Sequence, residues 1–268
     1  MFDIMQQLKF KREFYSGTDK CNLGCLYCFA DIESFRKLDV VKFKGKNPES
    51  DDVLIYYPSC DTEFNWSDNF DKFIDKLVDS NTKSIISIST KGKLRKSLIK
   101  KVKNANDILI KQNIGFIKFS VSITNKSMIS IIEPHTSNYQ ERLDLLKYLN
   151  DQEIPSSVIL KPILPFIEAK EYIEIIDDTS PFTNNYLLGG LYISKESVFY
   201  NNFIKDKYII TERKADWLSY KPMWAYVDST TKMNLLEKYL TEKNKNSFFS
   251  DLELLESMWQ NLILNKLY

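Results

Sequence analysis

Short apolar runs alternate with amphipathic stretches along most of the chain. The runs fall at Arg12–Tyr15, Val53–Tyr57, Ser84–Thr90, Phe116–Ile123, Ser157–Leu164 and Tyr186–Ile193. Their β-branched and aromatic content predicts strands. Between them lie Ile32–Leu38, Trp66–Val78, Leu94–Leu109, Gln140–Asn150 and Ala169–Asp177. Apolar positions there recur with the helical period; in the second of the longer stretches, Leu94, Leu98 and Val102 share one face. Lys93, Lys96, Lys100 and Lys103 share the other, as a solvated outer face or a phosphate-contacting stripe. Strands alternating with helices predict βα units around a parallel sheet. Six such units predict an α/β fold, a partial (β/α)6 barrel of the TIM type.

Beyond Lys205 the pattern changes. Tyr208–Thr211 suits a short strand, and Leu235–Leu240 and Leu252–Leu267 read as two terminal helices. The expected division is a barrel over residues 1–205 and an extension, 206–268, packed on it. Trp217, Tyr220, Trp224 and Tyr226 either pack these helices or offer faces for base stacking.

In barrels of this kind the chemistry sits on loops after the strand C-terminal ends. The loop after the first run reads Cys21-Asn22-Leu23-Gly24-Cys25-Leu26-Tyr27-Cys28. It holds three of the chain's four cysteines in a C-x3-C-x2-C spacing. Structural zinc takes four protein ligands, and no His or Asp stands beside the three; Cys60 or His135 would have to complete such a site. Three thiolates with no fourth ligand suit a [4Fe–4S] cluster with one open iron. Cys60 itself follows the second run, as a small buried hydrophobe or as a residue of the site. Lys91 ends the third run, placed to meet a carboxylate in a barrel mouth or to be solvated. Ser120 and Ser122 share a face of the fourth run, where a ribose, a carboxylate or neighbouring backbone would satisfy their hydroxyls. Thr136 or Ser137 is placed to cap the following helix. His135, the single histidine, reads as an ordinary polar loop residue or a catalyst. Gly189-Gly190 allows a close approach of ligand or backbone.

The net charge of +1 lends no support to a nucleic-acid binder, though a local patch would still serve. No apolar run reaches membrane-spanning length, and the first residues lack a signal-peptide core. Cysteines kept free for a cluster predict a reducing, cytoplasmic setting.

The ordered blocks Cys21–Phe29, Ser59-Cys60-Asp61, Thr90-Lys91, Phe119-Ser120-Val121-Ser122, Glu133-Pro134-His135-Thr136-Ser137 with Arg142, and Lys161-Pro162 resemble the spore photoproduct lyase branch of the radical S-adenosylmethionine (SAM) superfamily. A weaker match is Trp224-Ala225-Tyr226-Val227. The resemblance implies that Cys21, Cys25 and Cys28 bind a [4Fe–4S] cluster. It implies a SAM site in which Tyr27 takes part largely through its backbone. Asp61 stands where the lyase has a SAM-contacting serine, Lys91 would neutralise the SAM carboxylate, and Ser120, with Ser122 on its face, would lie near the ribose or carboxylate. Cys60 coincides with the lyase cysteine that returns a hydrogen atom to the product radical. The implied reaction is reductive cleavage of SAM to a 5′-deoxyadenosyl radical and hydrogen abstraction from a nucleic-acid or nucleotide substrate. An electron donor such as flavodoxin or ferredoxin is the implied partner. Phe29 departs from the pattern: the lyases carry a tyrosine there, proposed as a radical relay, and Phe29 has no phenolic hydrogen. Glu63-Phe64 replaces the Asp-Pro of the lyases, and the chain is shorter. The expectation is therefore a radical SAM core and not thymine-dimer repair. The alternatives are a peptide or small-metabolite substrate, or a zinc- or cluster-binding interaction module.

Overall fold

A computed structural model describes residues 8–14, 21, 23–28, 52–58, 63–64, 68–80, 82–214 and 223–265. The strands are β1 (Phe10–Phe14), β2 (Val53–Tyr57), β3 (Ser84–Thr90), β4 (Gly115–Ser122), β5 (Ser156–Leu160), β6 (Asn185–Leu188), β7 (Leu191–Ile193), β8 (Ile210–Lys214), β9 (Met223–Val227) and β10 (Asn246–Phe248). The longer helices are α1 (Asp68–Asp79), α2 (Lys96–Lys111), α3 (Tyr139–Asp151), α4 (Ala169–Thr179), α5 (Thr230–Glu242) and α6 (Asp251–Trp259).

β1 to β6 pair in sequence order, all parallel, and β10 adds a seventh parallel strand beside β6. The sheet curls into a half-barrel. The predicted helix Ile32–Leu38 lies outside the described residues. The single run expected over Tyr186–Ile193 is two strands in two sheets: β7 leaves the barrel to pair with β9, and β8 pairs with β9 on its other side. Gly189-Gly190 is the break. A Cβ at Gly190 would lie 2.5 Å from the Tyr226 hydroxyl, and one at Gly189 would lie 2.5 Å from Lys161 Cδ. The fifth run likewise stops at Leu160, before Pro162, which has no N–H for a ladder.

Strand alternation gives the sheet two apolar faces at its base. Leu54, Tyr56, Ile86, Ile88, Phe119 and Val121 pack toward the outer helices. Val53, Ile55, Ile85 and Phe116 point the other way, onto Leu254, Leu255, Met258 and Trp259 of α6. These are the first residues of their strands, so α6 plugs the N-terminal end of the lumen. The indole of Trp259 lies 6.2 Å from Phe10 and 6.3 Å from Phe116, centroid to centroid. Ser250 caps the plug, its hydroxyl accepting from the backbone of Leu252 and Glu253.

Two lysines of the predicted basic face are ion-paired, Lys93 with Glu141 at 2.6 Å and Lys103 with Asp107 at 2.7 Å, and Lys101 beside them meets Asp71 at 2.9 Å. Trp224 and Tyr226 are buried in β9, with the Tyr192 ring 4.8 Å from that of Tyr226; Trp217 and Tyr220 lie outside the described residues. No helix among the described residues is long and apolar enough to cross a membrane.

Candidate active site

The cysteine loop is fastened to the segment that follows β4. Leu26 N–H donates to the Ile132 carbonyl at 2.9 Å, and His135 N–H donates to Leu23 at 3.3 Å. Gly24 has φ +60, and a Cβ there would lie 3.2 Å from the His135 ring. Glycine suits that position on both counts. His135 therefore borders the loop from an exposed position.

Cys21, Cys25 and Cys28 are not joined in disulfides, and Cys25 is buried with the other two half-buried. Among the described residues no group of three His, Cys, Asp or Glu side chains converges so as to hold one metal ion. Cys60, a candidate fourth zinc ligand, lies outside the described residues. A cubane would take each of the three thiolates on a different iron. Burial pushes the Cys25 thiol up to about 11, against the pull of Lys91, whose ammonium lies 3.5 Å from the sulfur. A buried sulfur of this kind becomes a thiolate only with a strong positive partner, which a ligated iron is.

Beside Cys25 stands a buried ionic network. Glu133 is wholly buried and accepts from Thr124 Oγ1 and Arg142 Nη2, each at 2.5 Å, from Lys91 Nζ at 3.0 Å and from the Tyr27 hydroxyl. Lys91 also donates to the Tyr27 oxygen. Arg142, equally buried, donates to the carbonyls of Ser122 and Ser137 at 2.8 and 2.9 Å. Burial pushes the Glu133 carboxyl up, but Lys91 and Arg142 outweigh it and hold it down at about 2. Burial likewise raises the Tyr27 phenol and works against the Lys91 ammonium, which Tyr27, Glu133 and Cys25 nonetheless raise. Lys91 is thus fixed at the end of β3 by a protein carboxylate. Its backbone N–H is held too, by Glu63 at 3.0 Å, whose other oxygen accepts from Thr90.

The helix cap falls one residue later than the sequence predicts. Asn138 caps α3 in a reciprocal capping box with Glu141. Thr136 is engaged elsewhere, donating to the Glu133 carbonyl at 2.9 Å and accepting from Arg142.

The site residues divide into two groups. Tyr27, Cys25 and Lys91 come together at the mouth. Ser120 lies deeper, 2.8 Å from Ser157 Oγ and 2.6 Å from Lys118 Nζ. Ser122 is buried between the two levels, and its carbonyl serves Arg142. Cys60, Asp61 and Phe29 lie outside the described residues. Sequence reasoning missed Lys118, Glu63, Thr124 and Asp251. Lys118 had a visible signal: it shares the period-two face of Ser120 and Ser122 within an otherwise apolar strand.

No protein-family model matches the chain. An uncharacterized protein of Methanocaldococcus jannaschii is 26% identical over 208 residues, spanning 70% of this chain and 73% of that protein. A spore photoproduct lyase mutant superposes with a TM-score of 0.52 at 13% identity over 74% of this chain. The chain spans 62% of that lyase's length. SuiB of Streptococcus suis, solved bound to S-adenosylmethionine, superposes with a TM-score of 0.54 at 13% identity, covering 91% of this chain and 50% of SuiB. The resemblance to the spore photoproduct lyase branch therefore holds at the level of the fold, a half-barrel of the radical SAM type.

Proposed function

We propose that the chain is a radical SAM enzyme in which Cys21, Cys25 and Cys28 hold a [4Fe–4S] cluster. The observation that carries this reading is the three-thiol loop fastened to the mouth of a radical SAM-type half-barrel, with Lys91 and the Glu133 network against its buried cysteine. Cluster and SAM together supply, when bound, a 5′-deoxyadenosyl radical for hydrogen abstraction. The protein's part is binding, orientation and exclusion of water. Tyr27 and Lys91 border the SAM site, with Asp61, Ser120 and Ser122 as its further contacts by analogy with the lyases. Cys60 is the candidate hydrogen-atom donor, and a nucleotide-type substrate is the reading that the lyase fold favours. The test is anaerobic reconstitution followed by iron and sulfide analysis and a 5′-deoxyadenosine assay under reduction. About four irons per chain and reductant-dependent 5′-deoxyadenosine are expected; one zinc and no SAM cleavage would establish an interaction module instead.

Lys91 gives a sharper prediction. Changing Lys91→Met removes a cation that bridges Glu133 and the SAM side of the mouth. SAM affinity should fall by about 10- to 100-fold, roughly the 1.5–3 kcal/mol of a hydrogen bond to a charged group. Arg142 still neutralises Glu133, so iron content should hold. Calorimetric titration with unchanged SAM affinity would place Lys91 outside the SAM site.

A further inference from the structure

The lumen changes character one layer above its plug. Ile55, Ile85, Phe116 and Trp259 make an apolar floor. The next residues on the same inward face are Tyr57, Ser87 and Lys118, and above them come Ser89, Ser120 and Ser157, paired by strand register. A barrel interior that serves packing alone is filled with branched apolar side chains. Here Lys118 is wholly buried and donates to Ser120 at 2.6 Å and to Asp251 at 3.2 Å. The other oxygen of Asp251 accepts from the Tyr57 hydroxyl at 2.7 Å. One acid thus balances one lysine. A second lysine, Lys161, continues the inward face of Ser157 and Ile159 just past β5. It makes no hydrogen bond or ion pair with any described residue, and its stem lies where a Cβ on residue 189 would otherwise project. Lys161 is solvent-accessible, as is Ser89 across the lumen. The protein around Lys161 works against its charge and lowers its pKa, with only partial relief from Asp251.

An unpartnered ammonium above hydroxyls and a second, buried ammonium is a charge arrangement that an oxyanion completes. We propose that this polar layer receives the anionic group of a small substrate, a phosphate or a carboxylate, held by Lys161 and Ser157, with Ser120 and Lys118 behind them. The inference rests on the reading above only in taking the lumen as the reaction chamber. It narrows the substrate to one small enough for its charged end to enter the half-barrel, and Gly189 becomes a residue that keeps room for Lys161.

The test uses reconstituted protein with saturating SAM, titrated with inorganic phosphate and, separately, with malonate, at ionic strength matched by chloride. The wild-type protein should bind one of the two saturably. Lys161→Met should weaken that binding at least ten-fold, Lys161→Arg should restore most of it, and Lys195→Met, a surface control paired with Glu212, should leave it unchanged. Preference for phosphate or for malonate identifies the group recognised. Absence of saturable binding to both, or equal loss in Lys195→Met, would overturn the proposal. Iron content and SAM affinity of the same wild-type preparation report separately on the radical SAM reading, so the two fail independently.

Discussion

Changing Cys25→Ala should prevent assembly of the proposed cluster and, with it, any reductive SAM cleavage. Cys25 is the buried member of the three cysteines, and Lys91 lies against its sulfur. Among the described residues no other thiol stands ready, since the proposed function already assigns Cys21 and Cys28 to two other irons. Loss of an outer partner of a metal ligand typically costs about 10–100-fold in affinity or activity. Loss of the ligand itself should exceed that. Iron after anaerobic reconstitution should fall from about four per chain toward background, and 5′-deoxyadenosine should fall below detection. The fold should survive, because the loop is fastened through the backbone of Leu23 and Leu26 and not through the sulfur. Wild-type iron content in a folded Cys25→Ala protein would defeat the assignment.

The barrel was legible because its signal is local. Val53–Tyr57 is a continuous apolar run, as a buried parallel strand should be, and Ser84–Thr90 carries three isoleucines in a β-branched run bounded by turn residues. The helices α2, α3 and α4 carry their apolar stripes plainly. β10 was not legible, since Asn246–Phe248 is short and pairs with β6 some sixty residues earlier in sequence. The split at Gly189-Gly190 was half legible: the glycines announce a close approach, but only the fold reveals Lys161 and Tyr226 as what approaches. The site divides in the same way. The cysteine spacing is a local pattern. The Glu133–Arg142–Lys91 network joins three separate segments, and only a shared burial brings their charges together. Lys118 and Asp251 lie 133 positions apart in sequence, so a pair that sets the polarity of the lumen leaves no adjacent trace.

That network yields the second large effect, on stability. Arg142→Met should destabilise the protein by about 3–5 kcal/mol, the cost of breaking a buried ion pair from one side. Both partners of the pair are wholly buried, and the variant also strands the carbonyls of Ser122 and Ser137. Against a total of roughly 5–15 kcal/mol this is a large fraction, and the melting temperature should fall on the order of 10 °C. The pH dependence separates loss of charge pairing from loss of packing. Glu133 is held at about 2 in the folded protein, below its ordinary value of 4.5. A carboxylate depressed by folding contributes stability that is fully present above the unfolded pKa and disappears as pH falls through the folded one. For Glu133 that window runs from about pH 4.5 down to about pH 2. Without the guanidinium the folded pKa moves back toward 4.5, so Arg142→Met should be less stable at neutral pH yet lose less on acidification. Urea denaturation at pH 7 and at pH 3 measures both quantities on each protein. A variant with the full neutral-pH loss but an unchanged acid slope would mean that Arg142 acts through packing and its carbonyl bonds, with Lys91 alone setting the charge state of Glu133.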